Sequence, residues 1–272
     1  MENSSHFQIN DYLKPGRHAH LVGIGGVSMR PLGLVLRSMG MQISGSDMNA
    51  SVSTDELMAK GIAVSIGHRA ENIEGADCVI RTAAANNDNP EIAAARAAGI
   101  PIFERAQAWG YIMKAYRHAI CVSGTHGKTT TTSMLTQIFM EAGKDPTVMI
   151  GGSLPLLGAG HRVGQGDTII LESCEYCNSF LNFFPTTAVV LDIDADHLDF
   201  FKDLEDVKHS FRRFAELVPA DGLIVANGDD KNTLDALDGL SLVRFGMAET
   251  NDVYGTNFSE DYRCFDVVCG GK

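Results

Sequence analysis

The run Gly124-Thr125-His126-Gly127-Lys128-Thr129-Thr130 decides how the chain folds. Before it stands Ala119-Ile120-Cys121-Val122-Ser123, short and apolar, which reads as a buried strand. After it, Met134, Leu135, Ile138 and Phe139 recur at helical spacing. Strand, glycine loop, Gly-Lys-Thr and helix together are the setting a phosphate-binding loop requires. Its glycines let backbone N–H groups turn inward around phosphate oxygens, and the helix N-terminus adds positive potential. Lys128 is placed to reach the terminal phosphates, and the Thr129 hydroxyl to bind a Mg²⁺ that bridges them. The common loop is G-x-x-x-x-G-K-[ST]; here only Thr125 and His126 separate the glycines, so the loop is two residues shorter.

Downstream, 151–166 is rich in glycine and reads as a long irregular stretch. Thr168-Ile169-Ile170-Leu171 then reads as a buried strand with Glu172 at its end, and Thr187-Ala188-Val189-Val190-Leu191 as a second. The second runs into Asp192-Ile193-Asp194-Ala195-Asp196-His197-Leu198-Asp199. Carboxylates and a His at strand ends beside a phosphate loop suit a metal–nucleotide site. Glu172 would hold one Mg²⁺ together with Thr129. His197 and its flanking aspartates would hold a second metal or orient the substrate. An acidic solvated turn is the plainer alternative for 192–199.

Upstream, His18-Ala19-His20-Leu21-Val22 reads as a strand, and an apolar helix through Leu32, Leu34, Val35 and Leu36 follows. Between them Gly23-Ile24-Gly25-Gly26-Val27-Ser28 is nearly the dinucleotide fingerprint G-x-G-x-x-G, with Ser28 at the third glycine. Gly23, Gly25 and Gly26 permit a tight turn and close approach to a diphosphate. The spacing points to diphosphate binding, and Ser28 counts against a nicotinamide cofactor. A strand at 41–44 ends in Gly45-Ser46-Asp47, which places a carboxylate where a ribose or base would be read. Further strands fall at 62–66, 77–80 and 100–103. Pro90 opens an alanine-rich helix that Gly99 closes, and another helix lies near 106–116. His68 and Arg105 follow strand ends and are ligand candidates, although spacing alone reads them as ordinary surface residues. The expected fold is α/β: a Rossmann-like doubly wound parallel sheet over 1–117, then a P-loop nucleotide-binding α/β domain over 118–272.

The composition of the 272 residues fits a soluble globular protein, with 44% apolar and 7% aromatic residues. A net charge of −12 argues against nucleic acid as a partner, because a phosphate backbone needs a basic surface. No apolar run approaches a membrane span, and the polar start, 1–10, has no signal-like region, so a cytoplasmic location is expected. The six cysteines are scattered and read as reduced thiols. Cys174 and Cys177 have zinc-ligand spacing, but Cys264 and Cys269 do not form a second tight pair.

Taken together, five ordered motifs resemble the Mur ligases. They are Gly23-Ile24-Gly25-Gly26; Gly124 to Thr132; Glu172-Ser173-Cys174-Glu175-Tyr176 with Ser179-Phe180-Leu181; Asp196-His197-Leu198-Asp199; and Asn227-Gly228-Asp229-Asp230. The resemblance runs from about His18 to Phe265 and is strongest to the alanine-adding branch. It implies that the first domain binds the UDP part of UDP-N-acetylmuramate, with Gly25 and Gly26 at the diphosphate and Asp47 and His68 near the uridine. It implies that the second binds ATP. Lys128 would hold the β- and γ-phosphates, Thr129 and Glu172 one Mg²⁺, His197 a second, and Asn227 would approach the adenine. The muramoyl carboxylate would attack the γ-phosphate, and the amine of L-alanine would displace phosphate from the acyl phosphate.

Four positions depart from the family pattern. Ser28 and Arg30 replace a Gly and a Ser, and Asp192 stands where Asn is usual. Phe211 occupies the place of the carbamylated Lys of later-acting relatives, which fits the alanine-adding branch. The family also continues into a third domain that binds the amino acid. The expectation is therefore a fragment that keeps UDP-sugar binding, binds ATP weakly and does not form the amide alone. A recycling ligase that adds a peptide to UDP-N-acetylmuramate, and a non-catalytic UDP-sugar and ATP-binding module, remain the alternatives.

Overall fold

The computed structural model describes residues 7–261 and 263–270; the first six residues of the polar start, Tyr262, Gly271 and Lys272 lie outside the described residues. Two compact units result: residues through Ala115 with Met149–Gln165, and Tyr116–Val148 with Gly166 onward.

The first unit alternates β1 (His18–Val22), α1 (Met29–Ser38), β2 (Gln42–Asp47), α2 (Val52–Ala59), β3 (Ala63–Ile66), β4 (Cys78–Arg81), α3 (Pro90–Ala98), β5 (Ile102–Glu104) and α4 (Arg105–Met113). Its sheet is parallel throughout, in the order β3-β2-β1-β4-β5. The chain leaves β1 in one direction through β2 and β3, then returns to its other side with β4 and β5. Such a reversal opens a crevice at the carboxyl ends of the strands beside β1. The sheet is covered on both faces, so successive residues of its central strands are buried alike: Ala19, Leu21, Val22, Cys78, Val79 and Ile80 are fully buried, and the polar His20 and Ser46 are buried among them. Burial pushes the Cys78 thiol up to about 12. The helix predicted to run from Pro90 to Gly99 is α3. The Asn89 side chain accepts from the N–H groups of Glu91 and Ile92, and Gly99 closes it at φ +69°.

The rest of the chain supplies β6 (His118–Ser123), α5 (Lys128–Glu141), β7 (Thr147–Leu154), β8 (Ala159–Arg162), β9 (Thr168–Glu172), β10 (Thr187–Val190), α6 (Leu204–Ala215), β11 (Leu223–Asn227), α7 (Lys231–Ala236), β12 (Val243–Gly246), β13 (Val253–Thr256) and β14 (Asp266–Cys269). The second sheet has the order β14-β13-β12-β11-β10-β6-β9-β7-β8. β6 lies parallel between β10 and β9, β11, β12 and β13 continue parallel beyond β10, and β14 runs antiparallel to β13. All of β6's neighbours therefore end on the same side as the phosphate loop.

Two expectations change. The stretch at 151–166 is only partly irregular: 151–154 form the end of β7 and 159–162 form β8. A Cβ on Gly160 would lie 2.1 Å from the Gly152 carbonyl oxygen, so glycine there serves close strand approach rather than a loop. The helix after the phosphate loop is present, but its apolar stripe is not its buried face. Met134 and Ile138 are exposed, whereas Thr132 and Thr136 are fully buried. Their hydroxyls bond the carbonyls of Lys128 and Thr132 four residues back, which satisfies them inside the protein.

Candidate functional site

In the first unit the turn after β1 is fixed from below by the end of β2. Gly23 has φ +80°, and the N–H groups of Gly23 and Ile24 both donate to the Ser46 carbonyl. The Gly25 N–H donates to Asp47 Oδ2 at 2.9 Å. Asp47 therefore shapes the glycine turn, a role its position alone did not reveal. Ser28 sits at the start of α1, where its Oγ accepts from Arg105 and its carbonyl from the Trp109 indole. Arg30 donates to Glu56 Oε2 at 2.7 Å.

His68 is no ordinary surface residue. Its Nδ1 lies 3.0 Å from Ser46 Oγ and 3.2 Å from Glu91 Oε2. Ser46 Oγ donates to Glu91 Oε2 at 2.6 Å, and Asn72 Nδ2 to Glu91 Oε1 at 2.5 Å. His20 Nε2 stands 3.8 Å from Glu91 Oε1, beyond hydrogen-bond length. Glu91 is wholly buried. Burial alone would raise its pKa, but His20, Ser46 and Asn72 around the carboxylate outweigh burial and hold it at about 2. Sequence reasoning missed this network. A Glu just after a helix-opening Pro looks like an ordinary first-turn acid.

In the second unit the loop after β10 clamps the loop after β6. Gly124 takes φ +144° and Gly127 φ +78°. A Cβ on Gly124 would lie 2.8 Å from Asp192 Oδ1 and 2.9 Å from Leu191 Cβ. The His126 N–H donates to Asp192 Oδ1 at 2.8 Å and the Thr125 N–H to the Asp192 carbonyl at 3.1 Å. The Asp194 N–H donates to Thr125 Oγ1 at 2.8 Å. Lys128 Nζ is folded back on the loop: it donates to Gly124 O at 2.5 Å, to Thr125 O at 3.1 Å and to Glu175 Oε2 at 3.2 Å. Thr129 Oγ1 reaches both oxygens of Glu172 at 3.0 Å. Thr130 is exposed at the start of α5.

His197 Nε2 lies 3.9 Å from Glu175 Oε1 and 3.9 Å from Asp196 Oδ2. His197 itself sits at φ +54°, unusual for a non-glycine residue. Its ring packs 4.7 Å from that of Tyr176, whose hydroxyl donates to Asp199 Oδ2 at 2.8 Å. That bond, then the Asp199 charge, pushes the Tyr176 phenol up to about 12. Among the described residues, Glu175, Asp196 and His197 bring ligand atoms within 4.8 Å of one another. A buried carboxylate with an exposed carboxylate and a half-buried histidine nitrogen beside it is a mixed oxygen and nitrogen donor set that a divalent cation can use. Glu175 was visible in the sequence only as part of a motif; the structure makes it the partner of both Lys128 and His197.

Asn227 is not brought to the phosphate loop. Its Oδ1 accepts from the Asp229 N–H of its own turn at 3.0 Å. That turn is tied to the acidic loop instead through Asp230 and Asn232, which bond the backbone of Ile193. Phe211, in place of a lysine, is fully buried 5.3 Å from the Phe180 ring, so it is a core residue here.

A Rossmann-ordered parallel sheet followed by a strand, phosphate loop and helix ringed with carboxylates defines a two-unit α/β chain of the P-loop class. Residues 18–117 match the family model described as "Mur ligase family, catalytic domain", and residues 122–270 that described as "Mur ligase middle domain". The chain belongs to the Mur ligase family. It is 45% identical over 264 residues to a UDP-N-acetylmuramate–L-alanine ligase of Clostridium botulinum, spanning 95% of this chain and 57% of that relative. The namesake of Acetivibrio thermocellus is 47% identical over 240 residues, spanning 88% of this chain and 51% of its own length. Among solved structures, the UDP-N-acetylmuramate-alanine ligase of Thermotoga maritima superposes with a TM-score of 0.79 at 28% identity, over 94% of this chain and 58% of that one. The UDP-N-acetylmuramate:L-alanyl-γ-D-glutamyl-meso-diaminopimelate ligase of Neisseria meningitidis gives 0.84 at 28% identity, over 94% and 85%. The chain thus spans little more than half the length of the curated relatives it matches.

Proposed function

We propose that the chain supplies the UDP-sugar site and the ATP site of a ligase that joins L-alanine to the muramoyl carboxylate of UDP-N-acetylmuramate. The observation that carries this is the convergence of Lys128, Thr129, Glu172, Glu175 and His197 around one phosphate loop. The names of relatives at 45% and 47% identity support the alanine-adding reading.

In this reading the first unit, residues 1–117 by sequence, holds the UDP part at Gly23, Gly25, Gly26, Asp47, His68 and Arg105. Lys128 exchanges its bonds to Gly124 and Thr125 for the β- and γ-phosphates of ATP, while the N–H groups from Gly124 to Thr130 orient them. Asn227 lies on the adenine side. One Mg²⁺ held by Thr129 and Glu172, and a second contacted by His197 beside Glu175, would supply charge neutralisation to the transferring phosphoryl group. An oxygen of the muramoyl carboxylate bonds the γ-phosphorus as the bond to the β-phosphate oxygen breaks, giving acyl phosphate and ADP. The amine of L-alanine then adds to the acyl carbon, loses a proton and expels phosphate. Such chemistry needs positioned charge more than covalent help, which matches a site of one lysine and several carboxylates. A cytoplasmic location accompanies this reading; among the described residues no helix is long and apolar enough to cross a membrane.

Ligation of a peptide to the same UDP-sugar is the second reading, favoured by the TM-score of 0.84 to the Neisseria enzyme. One assay separates these. The chain is incubated with ATP, Mg²⁺ and UDP-N-acetylmuramate, plus either L-alanine or the tripeptide, alone and with the remaining part of a relative added. UDP-N-acetylmuramoyl-alanine detected by mass spectrometry supports the first reading, and a tripeptide product the second. Binding of both nucleotides without product in any mixture supports a non-catalytic module.

A further inference from the structure

Glu91 and its neighbours decide which hydrogen-bonding face His68 turns to a ligand. The Ser46 hydroxyl spends its one hydrogen on Glu91 Oε2 at 2.6 Å. Toward His68, Ser46 Oγ can then only accept. The other atom beside His68 Nδ1 is Glu91 Oε2, at 3.2 Å. A carboxylate held ionised by its surroundings also only accepts. With two acceptors against it, Nδ1 carries the proton. In a neutral imidazole the other nitrogen, Nε2, is then an acceptor. Among the described residues no hydrogen bond is made by Nε2, and the His68 side chain keeps 13% of its surface exposed.

The surroundings of His68 suit a flat base. β2 and β3 run parallel with Asp47 opposite Ile66, so Ile66 ends its strand beside the carboxylate that holds the glycine turn. Ile66 and Met48, at the carboxyl ends of these strands, are 39% and 62% exposed. Apolar side chains exposed at strand ends with a few polar groups among them are the usual lining of a small-molecule site.

We propose that Glu91 is the positioning residue of this site. Through Ser46 and Asn72 it locks His68 in the Nδ1–H form, and His68 Nε2 then accepts the imide N–H of a uracil. This rests on the UDP reading above and adds to it the group that is read and the buried residue that sets the reader. A donor facing a fixed acceptor is favoured, whereas a ligand lacking that donor leaves Nε2 unpaired, a loss of roughly tenfold in affinity.

Long-range ¹H–¹⁵N correlation on the ¹⁵N-labelled 272-residue chain, with His68 assigned by His68→Gln, reads the tautomer directly. The expected result is a protonated Nδ1 and a bare Nε2 in the unsubstituted chain. Calorimetry then compares UDP with its 3-methyl and 5-methyl analogues. The 3-methyl analogue should bind about tenfold more weakly than UDP, while the 5-methyl analogue, with equal added bulk on another edge, binds like UDP. Glu91→Gln offers Nδ1 an amide donor, which should move the proton to Nε2 and erase the preference between UDP and its 3-methyl analogue. A proton on Nε2 in the unsubstituted chain overturns the proposal, as does equal binding of UDP and 3-methyl-UDP. Neither of these readings needs Glu91→Gln to fold. Absence of UDP binding with the Nδ1–H form present would instead overturn the UDP reading itself.

Discussion

Lys128 and Asp192 show how single residues set the charge of the phosphate loop. Lys128 neutralises Glu175 in this structure, so its removal leaves a buried carboxylate without its cation and a phosphate without its lysine. Lys128→Ala should weaken Mg²⁺-dependent ATP binding roughly 10- to 100-fold, the range for a charge-assisted hydrogen bond. Calorimetry measures this, with the far-UV spectrum as the check on folding; native affinity would sink the loop assignment. Asp192 raises the opposite question. Its Oδ1 accepts from the His126 N–H, which an asparagine oxygen could do equally well. The extra negative charge contributes nothing to that bond and opposes an incoming phosphate. A unit charge about 4 Å away is worth between about 1 kcal/mol in water and about 4 kcal/mol at a protein surface. Asp192→Asn should therefore tighten ATP binding by roughly fivefold or more, with UDP binding untouched. Unchanged or weaker ATP binding would show that the carboxylate does more than shape the loop.

At the scale of elements, backbone conformation separates glycines that matter from those that do not. Gly124 and Gly143 both have positive φ, but a Cβ on Gly124 meets Asp192 and Leu191 under 3.0 Å, while one on Gly143 meets nothing within 4 Å. Gly143→Ala should cost only the conformational penalty of about 1–2 kcal/mol. Gly124→Ala should lower the melting temperature further and abolish ATP binding, because the loop must shift away from β10. Equal melting temperatures for the two variants would refute this account. The same contrast explains what the sequence revealed. A Gly-Lys-Thr between an apolar strand and a helix is legible because the chemistry needs those residues in that order. So was α3, where Pro90, Asn89 and Gly99 each have one physical role. β8 was not legible, since Gly160, which serves strand contact with Gly152, looks like part of a loop. The buried face of α5 was hidden because threonines that bond their own helix replace the expected apolar residues. Glu91 and Glu175 could not be found from spacing, because their partners come from strands and loops distant in sequence.

For the molecule as a whole, acid is the expected weakness, and two groups of the first unit set its course. His161 in β8 is held down to about 4 by burial, then by the nearby Arg30 and Lys60 charges, against Glu56. From the ordinary value of 6.5 down to about 4, the unfolded imidazole takes up a proton that the folded one refuses, so stability falls with pH. Glu91 continues the decline. Its contribution is whole above the ordinary 4.5 and is lost as pH drops toward about 2. Melting temperatures should thus fall in two overlapping stages, and His161→Gln should flatten the upper one. A melting temperature that stays level between neutral pH and about pH 4 in the unsubstituted chain would contradict the His161 assignment, and one that stays level from about pH 4 to about pH 2 the Glu91 one. The strand order carries a further consequence, one of timing. β6 pairs with β9 through His118 and Thr168, and with β10 through Ile120 and Thr187. Neither neighbour exists when β6 leaves the ribosome, and parallel pairing across such spans is slow to form. The apolar run at 119–122 must wait, exposed to other chains, until β10 has been made. The Lys128 loop acquires its clamp from Asp192 and Asp194 at the same moment, so competence to bind nucleotide waits on the strand that also covers the apolar run.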